Sequence, residues 1–572
     1  MFKGIAASPG IAMGTAFVLE SKTATISQTP ITTENIATEI KAFDDALVKA
    51  HLQLENIKKK TQQELGADKA AIFDAHLMIL ADDVFLDAIR DKISSQLVSA
   101  EYAVSQVVEQ YVQMFAEMED EYLKERAADI KDIGQRIINN ILGLENQSLS
   151  ALDREAVIIA KDLTPSDTAQ LDKKLVKGFA TDLGGRTSHT AIMARSLEIP
   201  AVVGLGDLSD QVKDQDTIII DGNEGIVILN PDEATIEEYR RKGEEYSRFL
   251  QELAQLKDLP CETQCCGRRV EIAANIGTPN DVEGALANGA EGIGLYRTEF
   301  LYMDRDSLPS EEEQFAAYKE VVETMAPKPV IIRTLDIGGD KKLPYLEMPE
   351  ELNPFLGWRA IRLCLDRSDI FKTQLRAILR ASNFGKVRIM YPMISNAEEI
   401  RQANRYLAEA KEELAKEGQP FNPNVEVGIM VEIPAAAVTA DLLAQEVDFF
   451  SIGTNDLIQY TIAVDRMNER ISHLYDPLHP AILRLIKQVI DASHRAGKWT
   501  GMCGEMAGDV EAAPILLGMG LDEFSMSASS IPRIKKVIRS LSYQEACEIA
   551  QEVLTLQSAN EIRARLQKIK YN

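Results

Sequence analysis

From residue 268 onward, short apolar runs and helix-patterned stretches alternate eight times. The apolar runs are Val270–Asn275, Gly292–Tyr296, Val330–Thr334, Val387–Tyr391, Val425–Val431, Asp448–Ile452, Trp499–Cys503 and Glu523–Met526. Stretches such as Glu312–Thr324, Gln374–Ala381, Ala397–Glu417 and Ala481–Ala496 separate them with helical spacing. Eight βα units in about 300 residues predict a (β/α)8 barrel, with an open doubly wound sheet as the alternative. In a barrel of this kind the chemistry sits at the C-terminal ends of the strands.

Those ends carry charged and polar side chains in succession. The second strand ends in Arg297-Thr298-Glu299, and the third in Arg333-Thr334-Leu335-Asp336, followed by Gly338-Gly339-Asp340-Lys341. The fifth ends in Glu432, the sixth runs into Gly453-Thr454-Asn455-Asp456, and the seventh ends in Cys503-Gly504-Glu505. Arg359 and Arg466 follow in loops toward the same face. Any one of these is ordinary as a surface charge; together they mark a site. Arginine pairs bind phosphate or carboxylate through two parallel hydrogen bonds, which lysine does not do. Two carboxylates beside an anionic ligand are a magnesium arrangement, and Glu432 and Asp456 fit it. No His/Cys cluster points to zinc. There is no GxxxxGK[ST] loop, and Gly292-Ile293-Gly294 lacks the third glycine of a dinucleotide turn. The expected ligand is a small dianion or trianion with Mg2+, not a nucleotide. Cys503 by position alone is a proton donor, a nucleophile or an inert buried thiol, with the inert thiol as the default.

The first half is organised differently. Residues 33–144 read as nearly all helix, with Ile36, Ile40, Phe43, Leu47, Ala50, Leu54 and Ile57 recurring at spacings of four and three. That seam predicts a helical bundle. Residues 146–232 change to short apolar strands, Val157–Ala160, Phe179–Thr181, Ala201–Val203 and Thr217–Ile220, with a hairpin at Gly222-Asn223-Glu224-Gly225. The first twenty residues share that character. The expected division is an α/β domain from 1–32 plus 145–232, an inserted bundle at 33–144, a charge-dense linker helix at 233–259 and the barrel at 260–572.

Within the α/β region, Gly184-Gly185-Arg186-Thr187-Ser188-His189 leads into the helix-patterned run Thr190–Arg195. Unpaired N–H groups and the positive dipole end favour an anion there and disfavour an imidazolium. His189 is therefore expected to be neutral and nucleophilic, suited to accepting a phosphoryl group. The plainer reading is a histidine packed beside a Thr/Ser cap.

Composition narrows the setting. Hydrophobic residues make up 45% and charged residues 26%, the profile of a globular chain. A net charge of −27 would repel nucleic acid and anionic lipid, which excludes both as partners. The six cysteines form no CxxC and no disulfide framework, so a reducing compartment is expected. Gly and Pro interrupt the first ten residues too early for a signal sequence, and no run approaches the ~18 apolar residues of a membrane span. The expected location is the cytoplasm.

These motifs together resemble the phosphoenolpyruvate–protein phosphotransferases, the Enzyme I components of bacterial sugar phosphotransferase systems. Gly184-Gly185-Arg186-Thr187-Ser188-His189-Thr190 matches the family's phosphohistidine motif. Asp336–Lys341, Asp448–Asp456 and Gly501-Met502-Cys503-Gly504-Glu505 match its barrel signatures. The resemblance implies that His189 is the histidine phosphorylated at its tele nitrogen, and that Arg297, Arg333, Asn455 and Arg466, with Arg359 beside them, contact phosphoenolpyruvate. It also implies that Glu432 and Asp456 bind Mg2+ and that Cys503 protonates the enolate to give pyruvate. The bundle would dock the phosphocarrier protein HPr, and the barrel would form a homodimer.

Two sites for one histidine imply movement. His189 is expected to swing about the linkers near 146 and 233–259, facing the barrel and then the carrier. For the carrier face, Asp68, Asp82, Asp83 and Asp87 flank Phe73, Leu77 and Leu80, and acidic groups there would complement a basic carrier. His76 in the same stretch is expected to be a contact or core residue. A nucleotide-dependent dikinase or phosphoenolpyruvate synthase shares the histidine and barrel motifs, but residues 33–144 are too few and too helical for a nucleotide domain. A lapsed regulatory protein would lack catalytic residues, and a Mg2+-dependent lyase would leave His189 unexplained.

Overall fold

The apolar runs of the first half pair into one sheet in the computed structural model of the chain. Its strands are β1 (Phe2–Lys3), β2 (Ile5–Ser8), β3 (Ile11–Leu19), β4 (Ala156–Ala160), β5 (Val176–Thr181), β6 (Ala201–Val203), β7 (Thr217–Asp221) and β8 (Ile226–Leu229). They lie in the order β1-β8-β7-β3-β4-β5-β6-β2. The structure describes residues 1–572 except 20–25, 27–29, 66–71, 117–120, 145–148, 150–151, 153, 169–170, 172–173, 186–187, 198, 265–266, 304, 340, 342, 467, 469 and 570–572. The chain divides into two units, Met1–Phe249 and Leu250–Asn572.

In the first unit β4 shows why the sheet is buried on both faces. Ala156, Ile158 and Ala160 point into one core, while Val157 and Ile159 point into a second. Alternation with period two feeds two layers from one apolar run. β3 and β4 are parallel neighbours, pairing Ala16 with Val157 through Leu19 with Ala160. Between them in sequence come the helices Ile36–Leu65, Ile72–Leu80, Asp83–Gln96, Ala100–Ala116 and Glu121–Leu142. These bury Phe43, Ala50, Leu54, Phe73, Ile89, Ile133 and Ile137 in a core of their own. β7 and β8 form the expected hairpin, and the Asp221 carboxylate accepts from the N–H groups of Asn223 and Glu224 to hold its turn. A helix at Glu233–Gln255 follows.

The second unit is the barrel. Its strands are β9 (Glu271–Ile276), β10 (Gly292–Arg297), β11 (Val330–Arg333), β12 (Val387–Tyr391), β13 (Glu426–Val431), β14 (Phe449–Ile452), β15 (Trp499–Met502) and β16 (Glu523–Met526). They close in sequence order, with β16 returning to β9, and every neighbouring pair is parallel. Strand bounds shift by a residue or two from the periodicity, so Cys503 stands just past β15. Helices start where polar side chains satisfy their free N–H groups: Ser310 with Glu313, and Asn396 with Glu399, form capping boxes. Outward strand residues such as Ile272, Ile332 and Ile389 meet the helices, while Leu295, Ile331, Met390, Met430, Phe449 and Cys503 form a separate cluster. No helix among the described residues is long and apolar enough to cross a membrane.

Candidate active site

The C-terminal strand ends of the barrel gather buried charge. Arg297 and Arg333 are register partners at the ends of β10 and β11. Arg333 bonds Glu299 Oε1 at 2.7 Å and Asp336 Oδ2 at 2.9 Å. Lys341 Nζ reaches the same Glu299 oxygen at 2.7 Å. Arg359 bonds Asp336 Oδ1 at 2.9 Å and Asp456 Oδ2 at 3.5 Å, and donates to the Tyr460 hydroxyl at 3.2 Å. One connected lattice thus runs from β10 to the helix after β14. Gly338, with φ of +113°, allows it: a β-carbon there would collide with Arg359.

These charges persist without much water because each is paired. Burial opposes ionisation of Asp336, but Arg333, Arg359 and Lys341 outweigh it and hold the carboxyl far below its usual range. Burial likewise opposes the Arg333 charge, and Glu299 and Asp336 more than compensate. Two donors stay free: Arg333 Nε and Arg359 Nε are buried with no hydrogen-bond partner among the described residues. Unused guanidinium donors suit an incoming anion.

Glu432 sits at the end of β13, accepting from Met393 N–H at 2.5 Å. Burial first, then Asp456 and Asp336, push its carboxyl up to about 8. Asp456 Oδ1 is buried with no hydrogen-bond partner among the described residues. Two crowded carboxylates, one with a free oxygen, fit a hard divalent cation that keeps some waters. No group of three His, Cys, Asp or Glu ligands occurs among the described residues. Cys503 is buried, and burial pushes its thiol up to about 11, against the opposing pull of Ser451 and Arg333. It is a thiol, not a thiolate, at neutral pH.

Asn455 and Glu505 clasp each other: Asn455 Nδ2 donates to Glu505 Oε1 at 3.2 Å, and Glu505 N–H donates to Asn455 Oδ1 at 3.0 Å. Arg466 is half-buried and lies against the Tyr475 phenol. Of the expected site residues, the structure therefore joins Arg333, Arg359 and Asp456 directly and sets Arg297, Glu432 and Cys503 at neighbouring strand ends. Glu299, Asp336 and Lys341 were not expected as site residues, although they stand in the strand-end motifs. Charge sequence alone does not separate a counterion from a ligand contact.

In the first unit, the helix His189–Leu197 starts at His189. Ser188 caps it, its hydroxyl accepting from Ala191 N–H at 3.3 Å and donating to Gly185 O at 2.9 Å. Thr190 Oγ1 donates to Leu163 O at 3.1 Å, which anchors the first turn to the segment after β4. Gly184 has φ of +108°, a value that favours glycine at the entry. The His189 side chain and residues 186–187 lie outside the described set.

The expected carrier face needs correction. Phe73 and Leu80 are buried in the bundle core, because they line the inward stripe of the helix Ile72–Leu80. Leu77 is half-buried, and Asp68 lies outside the described residues. Asp82 caps the next helix, accepting from Val84 and Phe85 N–H at 2.8 and 3.3 Å, and Asp83 is exposed. In the described stretch from Ile72 to Val84, the large apolar groups that face outward are Met78, 72% exposed, and Val84, 73% exposed; Val48 and Leu52 on the first helix of the bundle are exposed as well. His76 is buried, with Nε2 3.1 Å from Asp129.

Comparison with known proteins agrees along the whole chain. Residues 250–543 match the family described as PEP-utilising enzyme, PEP-binding domain; residues 3–126 match its N-terminal domain and residues 152–225 its mobile domain. A phosphoenolpyruvate-protein phosphotransferase of Staphylococcus carnosus (strain TM300) is 54% identical over 560 residues, covering 98% of this chain and 97% of that protein. One of Geobacillus stearothermophilus is 56% identical over 559 residues, covering 98% and 96%. A solution structure of an Enzyme I (nEIt) protein is 52% identical and covers 43% of this chain and all of that one, with a TM-score of 0.40.

Proposed function

The chain belongs to the phosphoenolpyruvate-protein phosphotransferase family, and from that premise we propose that it transfers the phosphoryl group of phosphoenolpyruvate to its own His189 and then to a histidine of the phosphocarrier HPr, releasing pyruvate at the first step of sugar uptake. The observation that carries this reading is the buried lattice of Arg333, Asp336, Arg359 and Asp456 with Cys503 held as a thiol beside it.

Phosphoryl transfer is chiefly positioning and charge neutralisation. Arg297 and Arg333 would grip the phosphoryl and carboxylate oxygens, and Arg359, Asn455 and Arg466 would complete the binding set. Glu432 and Asp456 would hold Mg2+, which when bound neutralises phosphoryl charge. A ring nitrogen of His189 forms its bond to phosphorus as the bond to the enol oxygen breaks. The enolate left behind takes the Cys503 proton at its methylene carbon and becomes pyruvate. For the carrier, Asp82 and Asp83 beside Met78 and Val84 offer an acidic rim around apolar contacts, matched to a basic partner. Pairing of two chains through their barrels rests on the family likeness.

The test is incubation with phosphoenolpyruvate carrying labelled phosphorus, in the presence of Mg2+. Acid-labile label is expected on the intact protein and none on His189→Ala. Cys503→Ala is expected to take up label while forming pyruvate slowly. An unlabelled wild-type protein overturns the assignment.

A further inference from the structure

Beneath the layer that carries Arg333, Glu432 and Cys503, the barrel holds a row of polar groups that the chemistry above does not use. Ser451 on β14, Gly501 on β15, Glu523 on β16 and Glu271 on β9 are register partners across four adjacent strands. Cys503 is two residues beyond Gly501, on the same face and one layer nearer the mouth. The glycines open the space between these layers. A β-carbon at Gly501 would lie 2.9 Å from Glu523 Oε1, and one at Gly294 would lie 2.6 Å from it. The Glu523 carboxyl therefore lies in the barrel interior beside Gly501 and Gly294, in the layer beneath Cys503, whose thiol donates to Ile452 O at 3.9 Å on the strand that carries Ser451.

Ser451 Oγ, Glu523 Oε1 and Glu271 Oε1 are all buried without a hydrogen-bond partner among the described residues. Three orphaned polar atoms in one row are unusual in a barrel core, which packs with branched apolar side chains. Arg388, Lys386, Glu291 and Arg269 surround Glu271, and Arg388 Nη1 is itself buried without a hydrogen-bond partner among the described residues. Arg388 on β12 is held by Glu426 at 2.7 Å and lies over the Trp499 ring at 4.5 Å. Burial first, then Glu271, push Glu523 up to about 8, with Arg388 opposing and Asp522 adding to the rise. Burial and the neighbouring Glu271 thus favour the protonated carboxyl at Glu523.

We propose that Glu523 and Ser451 are positioning residues that reload Cys503 with a proton after each turnover. The inference rests on Cys503 as the acid. The S–H bond of Cys503 breaks as the C–H bond of pyruvate forms. The thiolate then takes the Ser451 hydroxyl proton while the Ser451 oxygen takes the Glu523 carboxyl proton, across the gap that Gly501 leaves. Glu523 regains its proton from bulk water at the barrel floor, past Glu271. No electron leaves or enters.

The relay has a kinetic signature. The first turnover uses the proton already on Cys503; every later one needs the relay. Rapid-quench counting of pyruvate, with the full chain, Mg2+, phosphoenolpyruvate and excess HPr as acceptor, separates the two. Glu523→Gln, close in shape, is expected to give a burst of one pyruvate per site at the wild-type rate and then a phase at least tenfold slower. Ser451→Ala is expected to show the same burst and serves if Glu523→Gln does not fold. A steady wild-type rate in both variants overturns the relay. So does equal slowing of first and later turnovers, which marks a structural defect. Wild-type pyruvate formation by Cys503→Ala overturns the acid assignment itself and the relay with it.

Discussion

Burial decides what each polar residue of the barrel mouth is able to do. Arg333 and Asp336 stay charged in a dry site because each outweighs the other's desolvation. Glu432 has an acidic neighbour and is pushed up toward neutrality, and Cys503 is pushed up by burial to about 11. The direction of that last shift sets a pH dependence. The proposed acid, Cys503, works as a thiol, which is present below about 11 and lost above it. Pyruvate formation in the first turnover, followed by stopped flow, is expected to show no alkaline fall between pH 7 and about 10. A fall centred near the ordinary thiol value of about 8.5 would show that the thiol is solvated. Position past a strand end was legible in the residues; protonation state was not, because it depends on the neighbours that closure of the barrel brings in.

Secondary-structure elements were the most legible level. Spacings of four and three marked the bundle seam, and apolar runs marked all eight barrel strands, because side-chain periodicity is a property of the backbone repeat. Which side of a short helix turns inward was less legible. In Ile72–Leu80 the residues Phe73, Leu77, Met78 and Leu80 are all apolar, and only packing separates buried Phe73 and Leu80 from exposed Met78. The separation is measurable. Phe73→Ala is expected to cost about 3–5 kcal/mol in denaturant unfolding of the bundle. Met78→Ala is expected to leave stability within about 0.5 kcal/mol while weakening HPr binding severalfold in calorimetry. Equal stability losses would return Met78 to the core.

At the scale of the whole molecule, the proposed phosphoryl acceptor and the proposed donor site belong to different units, His189 to Met1–Phe249 and the arginine lattice to Leu250–Asn572. A fragment of residues 1–259 is therefore expected to exchange phosphate with phosphorylated HPr and to take none from phosphoenolpyruvate. Label arriving on that fragment from phosphoenolpyruvate alone would place the donor site outside the barrel. The residues by themselves determined the βα count, the insertion of a bundle between β3 and β4, and the chemical types waiting at the strand ends, since all three follow from local pattern. Only the tertiary structure decided which carboxylates are counterions, which carry a proton, and which apolar side chains remain outside. Those outcomes depend on groups distant in sequence, such as Glu299 with Arg333 or Glu271 with Glu523, that become neighbours when parallel strands fall into register and exclude water between them.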